Sequence, residues 1–288
     1  MLTGRVAGQA ILGRYGAAAV AGATGRTLVT TVVEGGQARV ALDGPPANAL
    51  SLEMLNAINE AMKSAMADDE VKGIVLTAAK PGIFCAGLDI TAMYGADQES
   101  ATVFWRAVQD AWLNMYTCPK PVVSAINGHA PAGGCLLAIC TDHRVMGNDG
   151  GFAIGLNETQ LGIVAPPWFA RPYADLMGQR NAERHLCLGS MLSADDALAI
   201  GLVDDLVPTA DVVETAHATL AQYIAIPAQA RAMTKAMMRE ATVRATLGTQ
   251  EGREADLGRF LALVLSDPVQ ASLGKYLKAL SKRKSKSK

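Results

Sequence analysis

The sequence predicts an α/β domain that gives way to a helical C-terminal region. Two patterns carry the prediction. Short β-branched apolar runs alternate with amphipathic helices in the first 165 residues, and from Pro166 onward helical periodicity is nearly continuous. Size permits it: 288 residues, half of them hydrophobic, can bury a large core.

Taken in order, residues 27–33 and 38–43 read as strands around Gly35 and Gly36, a hairpin signal, and Gly44, Pro45 and Pro46 end the second. Ser51 is placed to cap a helix whose apolar face is Leu52, Leu55, Ile58, Met62 and Met66. Residues 73–79 form a buried strand, and a loop with Pro81, Gly82 and Gly87 follows. Residues 99–117 are a second amphipathic helix, closed by Pro119 and Pro121. Residues 122–126 are another buried strand, Asn127 and Gly128 turn the chain, and residues 132–140 form a short, wholly apolar helix. Strands around 144–146 and 152–154 come next. Helical periodicity then marks 168–177, 180–188, 193–200, 210–224, 228–246, 250–265 and 268–282.

Composition narrows the function classes. Charged residues make up 18% and the net charge is -1, which excludes a disordered chain and a globally basic nucleic-acid binder. No apolar run approaches 18 residues, so no membrane span is expected. The five cysteines (Cys85, Cys118, Cys135, Cys140, Cys187) are odd in number and form no CxxC, against a disulfide scaffold or a cysteine zinc site. Arg5, Arg14 and Arg26 precede the first acid, Glu34, in an Ala/Gly/Thr-rich stretch with the character of a mitochondrial transit segment. The expected organisation is a transit segment at 1–26, an α/β core at 27–225, a helical region at 226–282 and a basic, disordered tail at 283–288.

The sequence has no GxGxxG, Walker A, HExxH or GxSxG signature. His129, His143, His185 and His217 lack metal-ligand spacing and read as structural or surface residues, so neither metal nor redox cofactor is expected. The chemistry is left to backbone groups and carboxylates. Residues 84–89 (FCAGLD) follow a buried strand, and Gly87 allows a sharp turn that presents a neighbouring amide. Residues 127–135 (NGHAPAGGC) follow another strand and open the apolar helix, where paired glycines let a ligand approach free N–H groups. Two such amides meeting on one oxygen make an oxyanion hole; taken singly, each stretch is equally an ordinary strand-to-helix turn. In residues 154–162 (IGLNETQLG), Glu158 sits between apolar residues, where desolvation would lift a carboxylate toward the range of a general base; taken alone it reads rather as a surface-loop or helix-start acid.

In this order and spacing, the runs AGLDITAM, SAINGHAPAGGCLLA, IGLNETQLGI and AIPAQARAMTKAMMR resemble the crotonase superfamily of enoyl-CoA hydratases and isomerases, across about residues 27–280. The likeness is strongest to its mitochondrial isomerase branch. It implies a crotonase-type spiral of ββα units with a C-terminal helical oligomerisation region, assembled as a trimer or dimer of trimers. It implies that Leu88 and Gly133 supply the oxyanion-hole amides, that Ala86, Gly87, Leu88, Asp89, Ile90 and Gly133 line the substrate channel, and that Glu158 is the base. The implied partner is an acyl-CoA thioester, with no nucleic acid and no cofactor beyond the substrate's own coenzyme A. The implied location is the mitochondrial matrix.

One departure is informative. Family hydratases carry a second glutamate three residues after the oxyanion-hole glycine, and here that residue is Leu136. Hydration loses half its machinery, while a one-base proton shuttle that moves a 3-enoyl-CoA double bond to the trans-2 position is intact. Dienoyl isomerisation or thioester hydrolysis on the same scaffold calls for further acids. A non-catalytic RNA-binding role fits poorly with Glu158 in place. Met93, Phe104, Trp105, Trp112 and residues 166–169 could line an acyl pocket, but core or subunit packing is the simpler reading for most of them.

Overall fold

The computed structural model describes residues 16–21 and 26–286. The chain opens with three antiparallel strands: β1 (Gly16–Ala21), β2 (Thr27–Glu34) and β3 (Gln37–Leu42). Gly35 and Gly36 both have positive φ, 56° and 78°, which is what a two-residue hairpin between Glu34 and Gln37 requires. Helix α1 (Leu52–Ala67) follows, its first turn held by the Ser51 hydroxyl, which accepts from Met54 N–H.

From there the chain repeats one unit: a long strand, a short strand, a helix. The first is β4 (Gly73–Ala78), β5 (Gly82–Ile83) and α2 (Gln98–Tyr116). The second is β6 (Val122–Ile126), β7 (Gly128–Pro131) and α3 (Gly133–Ile139). The third is β8 (His143–Gly147) and β9 (Ala153–Gly155), followed by α4 (Pro167–Met177) and α5 (Gln179–Leu188). Then come β10 (Leu192–Ser193), α6 (Ala194–Ala199), β11 (Asp205–Val207) and α7 (Val212–Ile224). The long strands make a seven-stranded sheet in the order β1-β2-β3-β4-β6-β8-β11, parallel from β3 onward. The short strands make a second sheet, β10-β9-β7-β5. This is the spiral of ββα units that the resemblance implies.

Burial explains the sequence pattern. Every residue of β4 and β6 is buried, because helices cover both faces of the parallel sheet, so these strands read as unbroken apolar runs. On one face α7 packs Val212, Ala216 and Leu220 against Val75, Val123, Ala125 and Val145. On the other lie α1, α2 and α3 with the main core. Helices α8 (Ala228–Ala245), α9 (Gln250–Val264) and α10 (Asp267–Lys286) complete the C-terminal region. Asp142 ties α8 to the body, accepting from Lys235 at 2.7 Å and Arg239 at 3.0 Å.

Three readings are corrected. Strand β1 lies within 1–26, where no strand was expected; GAAAVA has weak strand propensity, and its pairing with β2 makes the strand. Of the second sheet only β9, near 152–154, was read as a strand; the others, of two to four residues, carry no detectable alternation. Finally, α10 continues through Lys286, into the stretch expected to be disordered; lysines are good helix formers and suit the negative end of a helix. Residues 1–15 of the expected transit segment and residues 287–288 lie outside the described residues.

Candidate active site

The segment after β5 is held by backbone bonds that leave one donor free. Phe84 N–H donates to His129 O at 3.0 Å, and Ala86 N–H to Ala47 O at 3.0 Å. Leu50 then brackets Leu88: Leu50 N–H donates to Gly87 O at 2.8 Å, and Asp89 N–H donates to Leu50 O at 3.2 Å. Leu88 N–H is thereby turned away from Leu50, toward the start of α3. Gly87, at φ 89°, makes the turn. Buried Asn48 braces the loop from behind: its amide nitrogen donates to Phe84 O at 3.0 Å and its oxygen accepts from Gly44 N–H at 2.7 Å.

Gly133 is the first residue of α3, so its N–H has no intrahelical acceptor. Ala132 before it has φ 47° and ψ −117°, a region alanine rarely enters, and its N–H is held by Gly155 O at 2.8 Å. Strain of this kind costs about 1–3 kcal/mol and persists where surrounding structure enforces it. The two amides sit side by side. A methyl built on Gly133 would lie 3.0 Å from Leu88 N, and one on Gly87 would lie 3.1 Å from Gly133 N. Gly134 is as tightly placed, since a methyl there would meet Cys85 O at 2.2 Å. The paired glycines are therefore needed for close backbone approach.

The second sheet ties the start of α3 to the segment that carries Glu158. Pro131 of β7 pairs with Gly155 of β9, and Glu158 opens the 3-10 turn Glu158–Leu161 three residues later. Glu158 is 4% exposed, and neither carboxylate oxygen has a hydrogen-bond partner among the described residues. Burial pushes its pKa up to about 7, against a smaller opposing pull from its own backbone N–H. The other buried carboxylate, Asp256, is occupied by Trp105 Nε1 at 2.8 Å and Gln109 Nε2 at 2.9 Å.

Of the remaining candidate positions, Ala86, Leu88 and Ile90 are half-buried and Gly87 and Gly133 buried along the same segments. The Asp89 carboxylate is spent locally, accepting from Thr91 N–H at 2.9 Å and Thr91 Oγ1 at 2.7 Å, so it steadies the loop rather than offering a second acid. Leu136 is buried in α3. Cys135 lies within electrostatic range of Glu158, and burial raises its thiol well above the ordinary value, which leaves no thiolate to compete.

Two residues of this region were not foreseen. Asn48 could have been suspected from its place in the turn-forming run PPAN. Tyr173 is fully buried on α4 with an unpartnered hydroxyl, within electrostatic range of Glu158 and Cys135; burial raises its pKa. Among helical aromatics it carried no distinguishing signal.

The aromatic candidates pack as a cluster between α2, α4 and α9. Trp105 stacks on Phe260 at 3.9 Å, and Trp168 meets Trp105 at 5.5 Å and Trp112 at 5.6 Å. Met93 and Phe104 are buried in the same core. Three of the four histidines have structural contacts: His143 pairs with Asp205 at 2.8 Å, His217 with Gln37 at 2.6 Å, and His129 accepts from Ala153 N–H at 3.1 Å, while His185 Nδ1 has no partner among the described residues.

Comparison with known proteins settles the family. The profile of the enoyl-CoA hydratase/isomerase family matches residues 33–286. The chain belongs to that family. As a hydratase/isomerase family member it is 43% identical over 259 residues to mouse enoyl-CoA delta isomerase 1, mitochondrial, covering 90% of this chain and 89% of the relative. The human protein of the same name is 42% identical, covering 90% and 85%. The crystal structure of human mitochondrial delta3-delta2-enoyl-CoA isomerase superposes with a TM-score of 0.87 at 40% identity, covering 90% of this chain and all of that one. An apo structure of an Mtb enoyl-CoA isomerase matches at TM-score 0.72 and 25% identity, covering 82% of this chain and 98% of that one.

Proposed function

We propose that this family member is a Δ3-Δ2-enoyl-CoA isomerase, converting 3-enoyl-CoA to trans-2-enoyl-CoA in the β-oxidation of unsaturated fatty acids. The reading is supported by one buried carboxylate, Glu158, unpartnered among the described residues and three residues past Gly155, the residue that holds the start of α3, where the Gly133 amide adjoins that of Leu88. The C2 protons of a 3-enoyl thioester are both α to the carbonyl and allylic. Glu158 removes one, leaving a dienolate spread over the carbonyl and C2 to C4. Leu88 N–H and Gly133 N–H hold the thioester oxygen, a donor in such a place being worth about 3 kcal/mol. Glu158, now neutral, returns the proton at C4. Burial supports both steps, because a carboxyl with a pKa of about 7 gives and takes a proton with little cost near neutral pH.

Ala86 to Ile90 with Gly133 form the wall that receives the thioester, and no cofactor enters the reaction. Leu136, in place of a second acid, leaves water unactivated, which separates the isomerase from a hydratase. The relatives' names support a mitochondrial setting; the matrix, and a transit segment within 1–26, are part of this reading. Exposed Met233, Met237 and Met238 on α8 support self-association, as a trimer or dimer of trimers. Among the described residues no helix is long and apolar enough to cross a membrane.

The test is turnover of trans-3-hexenoyl-CoA beside trans-2-hexenoyl-CoA. Conversion of the first without hydration of the second is expected. Efficient hydration would overturn the isomerase reading, and the absence of both reactions would remove it.

A further inference from the structure

Helix α10 is joined to the segment that carries the Leu88 amide through one side chain. Gln270 Nε2 donates to Met93 O at 3.0 Å and to Val264 O at 2.7 Å, while its Oε1 accepts from Gly95 N–H at 2.8 Å. The amide thus spends both donors and an acceptor on three backbone groups, two in the loop and one at the end of α9. Glutamate could not donate and lysine could not accept, so the three-way contact is specific to an amide of this length.

The loop between Leu88 and this clasp is stiff. Asp89 caps the 3-10 turn Ile90–Ala92, Met93 N–H and Tyr94 N–H both return to Ile90 O at 3.1 and 2.9 Å, and the Met93 side chain is buried. One turn further along α10, Gly274 lies under the Tyr94 ring: a methyl there would come within 2.9 Å of Tyr94 Cε2. The same helix reaches the other half of the site, since Ser272 lies 3.7 Å from where a methyl on Gly162, the residue closing the Glu158 turn, would stand. Buried Val269 and Leu273 seat α10 between the two contacts.

We propose that Gln270 is a positioning residue for catalysis: by pinning residues 93–95 to the α9–α10 corner, it holds the Leu88 amide in register with Gly133 and Glu158. It touches no substrate and acts through the 89–95 segment. The inference rests on the isomerase reading and adds to it a requirement outside the three family motifs.

The experiment compares Gln270→Ala, Gln270→Glu and Gly274→Ala with an exposed change on the same helix, Lys278→Ala. Steady-state turnover of trans-3-hexenoyl-CoA, hydrogen exchange of the Gly95 amide and thermal unfolding are read on each. A misplacement near 1 Å can cost about a hundredfold in rate, so kcat is expected to fall about ten- to a hundredfold in the two Gln270 variants and less in Gly274→Ala. KM should stay within about threefold of wild type while the Gly95 amide exchanges at least about tenfold faster, and Lys278→Ala should match wild type. A kcat within about twofold of wild type alongside a lowered melting temperature would make Gln270 merely structural and overturn the proposal. Unaltered Gly95 exchange in Gln270→Ala would also overturn it. Should Gln270→Ala not fold, the Glu and Gly274 variants decide on the same readouts. Wild-type inactivity toward 3-hexenoyl-CoA would instead defeat the isomerase reading, while the Gly95 measurement would still report whether the clasp exists.

Discussion

On the Leu88–Gly133 side of the site the polar groups are main-chain amides, whereas on the Glu158 side the working group is a side chain. The first side depends on what is missing: no Cβ at Gly87, Gly133 or Gly134, and no hydrogen-bond acceptor for two N–H groups. The second depends on what surrounds it, since Glu158 is a potential base only because burial withholds water and partners from its carboxylate. The amide side should therefore tolerate changes of side chain and fail when backbone approach is blocked. The carboxylate side should respond in the opposite way, to the loss of one functional group with the backbone intact.

The largest expected effect is on the carboxylate side. Glu158→Gln keeps shape and removes the proton shuttle, so kcat on trans-3-hexenoyl-CoA should fall by about 10³- to 10⁴-fold with CoA-ester binding retained. Retained turnover would sink the assignment of the base. Next is Gly133→Ala, whose methyl would crowd Leu88 N at 3.0 Å and Leu50 Cδ1 at 2.9 Å. Disturbing one oxyanion donor should cost about 10²- to 10³-fold in kcat, whereas Leu88→Ala, which preserves the amide, should stay within about tenfold. Equal losses in the two variants would erase the contrast between the two sides.

The pH dependence sharpens the same contrast. With Glu158 as the proposed base, activity needs its ionised form, so kcat/KM should fall about tenfold per unit as pH drops below about 7. Stability should run the other way. The native state keeps this proton up to about pH 7, while the unfolded chain releases it near 4.5, so stability declines as pH rises through that window and is level above it. The size is about 3 kcal/mol from a shift of this magnitude. Glu158→Gln should flatten that slope in thermal melts at pH 5 and pH 8; an unchanged slope would show that Glu158 is not buried uncompensated. The smallest effect is Tyr173→Phe, which removes an unpartnered buried hydroxyl and should stabilise the fold by about 1 kcal/mol, checked by denaturant unfolding.

Much of the frame was legible in the chain because local signals and burial agreed. Residues 122–126 read as a buried strand and are one, because a strand covered on both faces shows only apolar residues. The glycine-rich turns stood out because Gly and Pro interrupt apolar runs, whereas Glu158, flanked by Asn157, Thr159 and Gln160, stood out only together with the other motifs. Of the second sheet only β9 stood out. Its strands of two to four residues owe their existence to pairing with segments tens of residues away, such as Gly82 with Gly128 and Leu192 with Ile154. Asn48, Tyr173 and Gln270 stayed hidden for a related reason: their surroundings come from segments remote in sequence, and polar or aromatic residues on helices and turns are common.

The sequence by itself determined the long strands and helices and the sharp turn at Gly87. These follow from backbone sterics and from the periodicity of burial, both local properties. Only the tertiary structure decided that Leu88 N–H and Gly133 N–H stand side by side, that Glu158 is stripped of partners and lifted to a pKa of about 7, and that α10 reaches both walls of the site. Convergence and desolvation depend on which distant segments share a space, and no local run of residues contains that information.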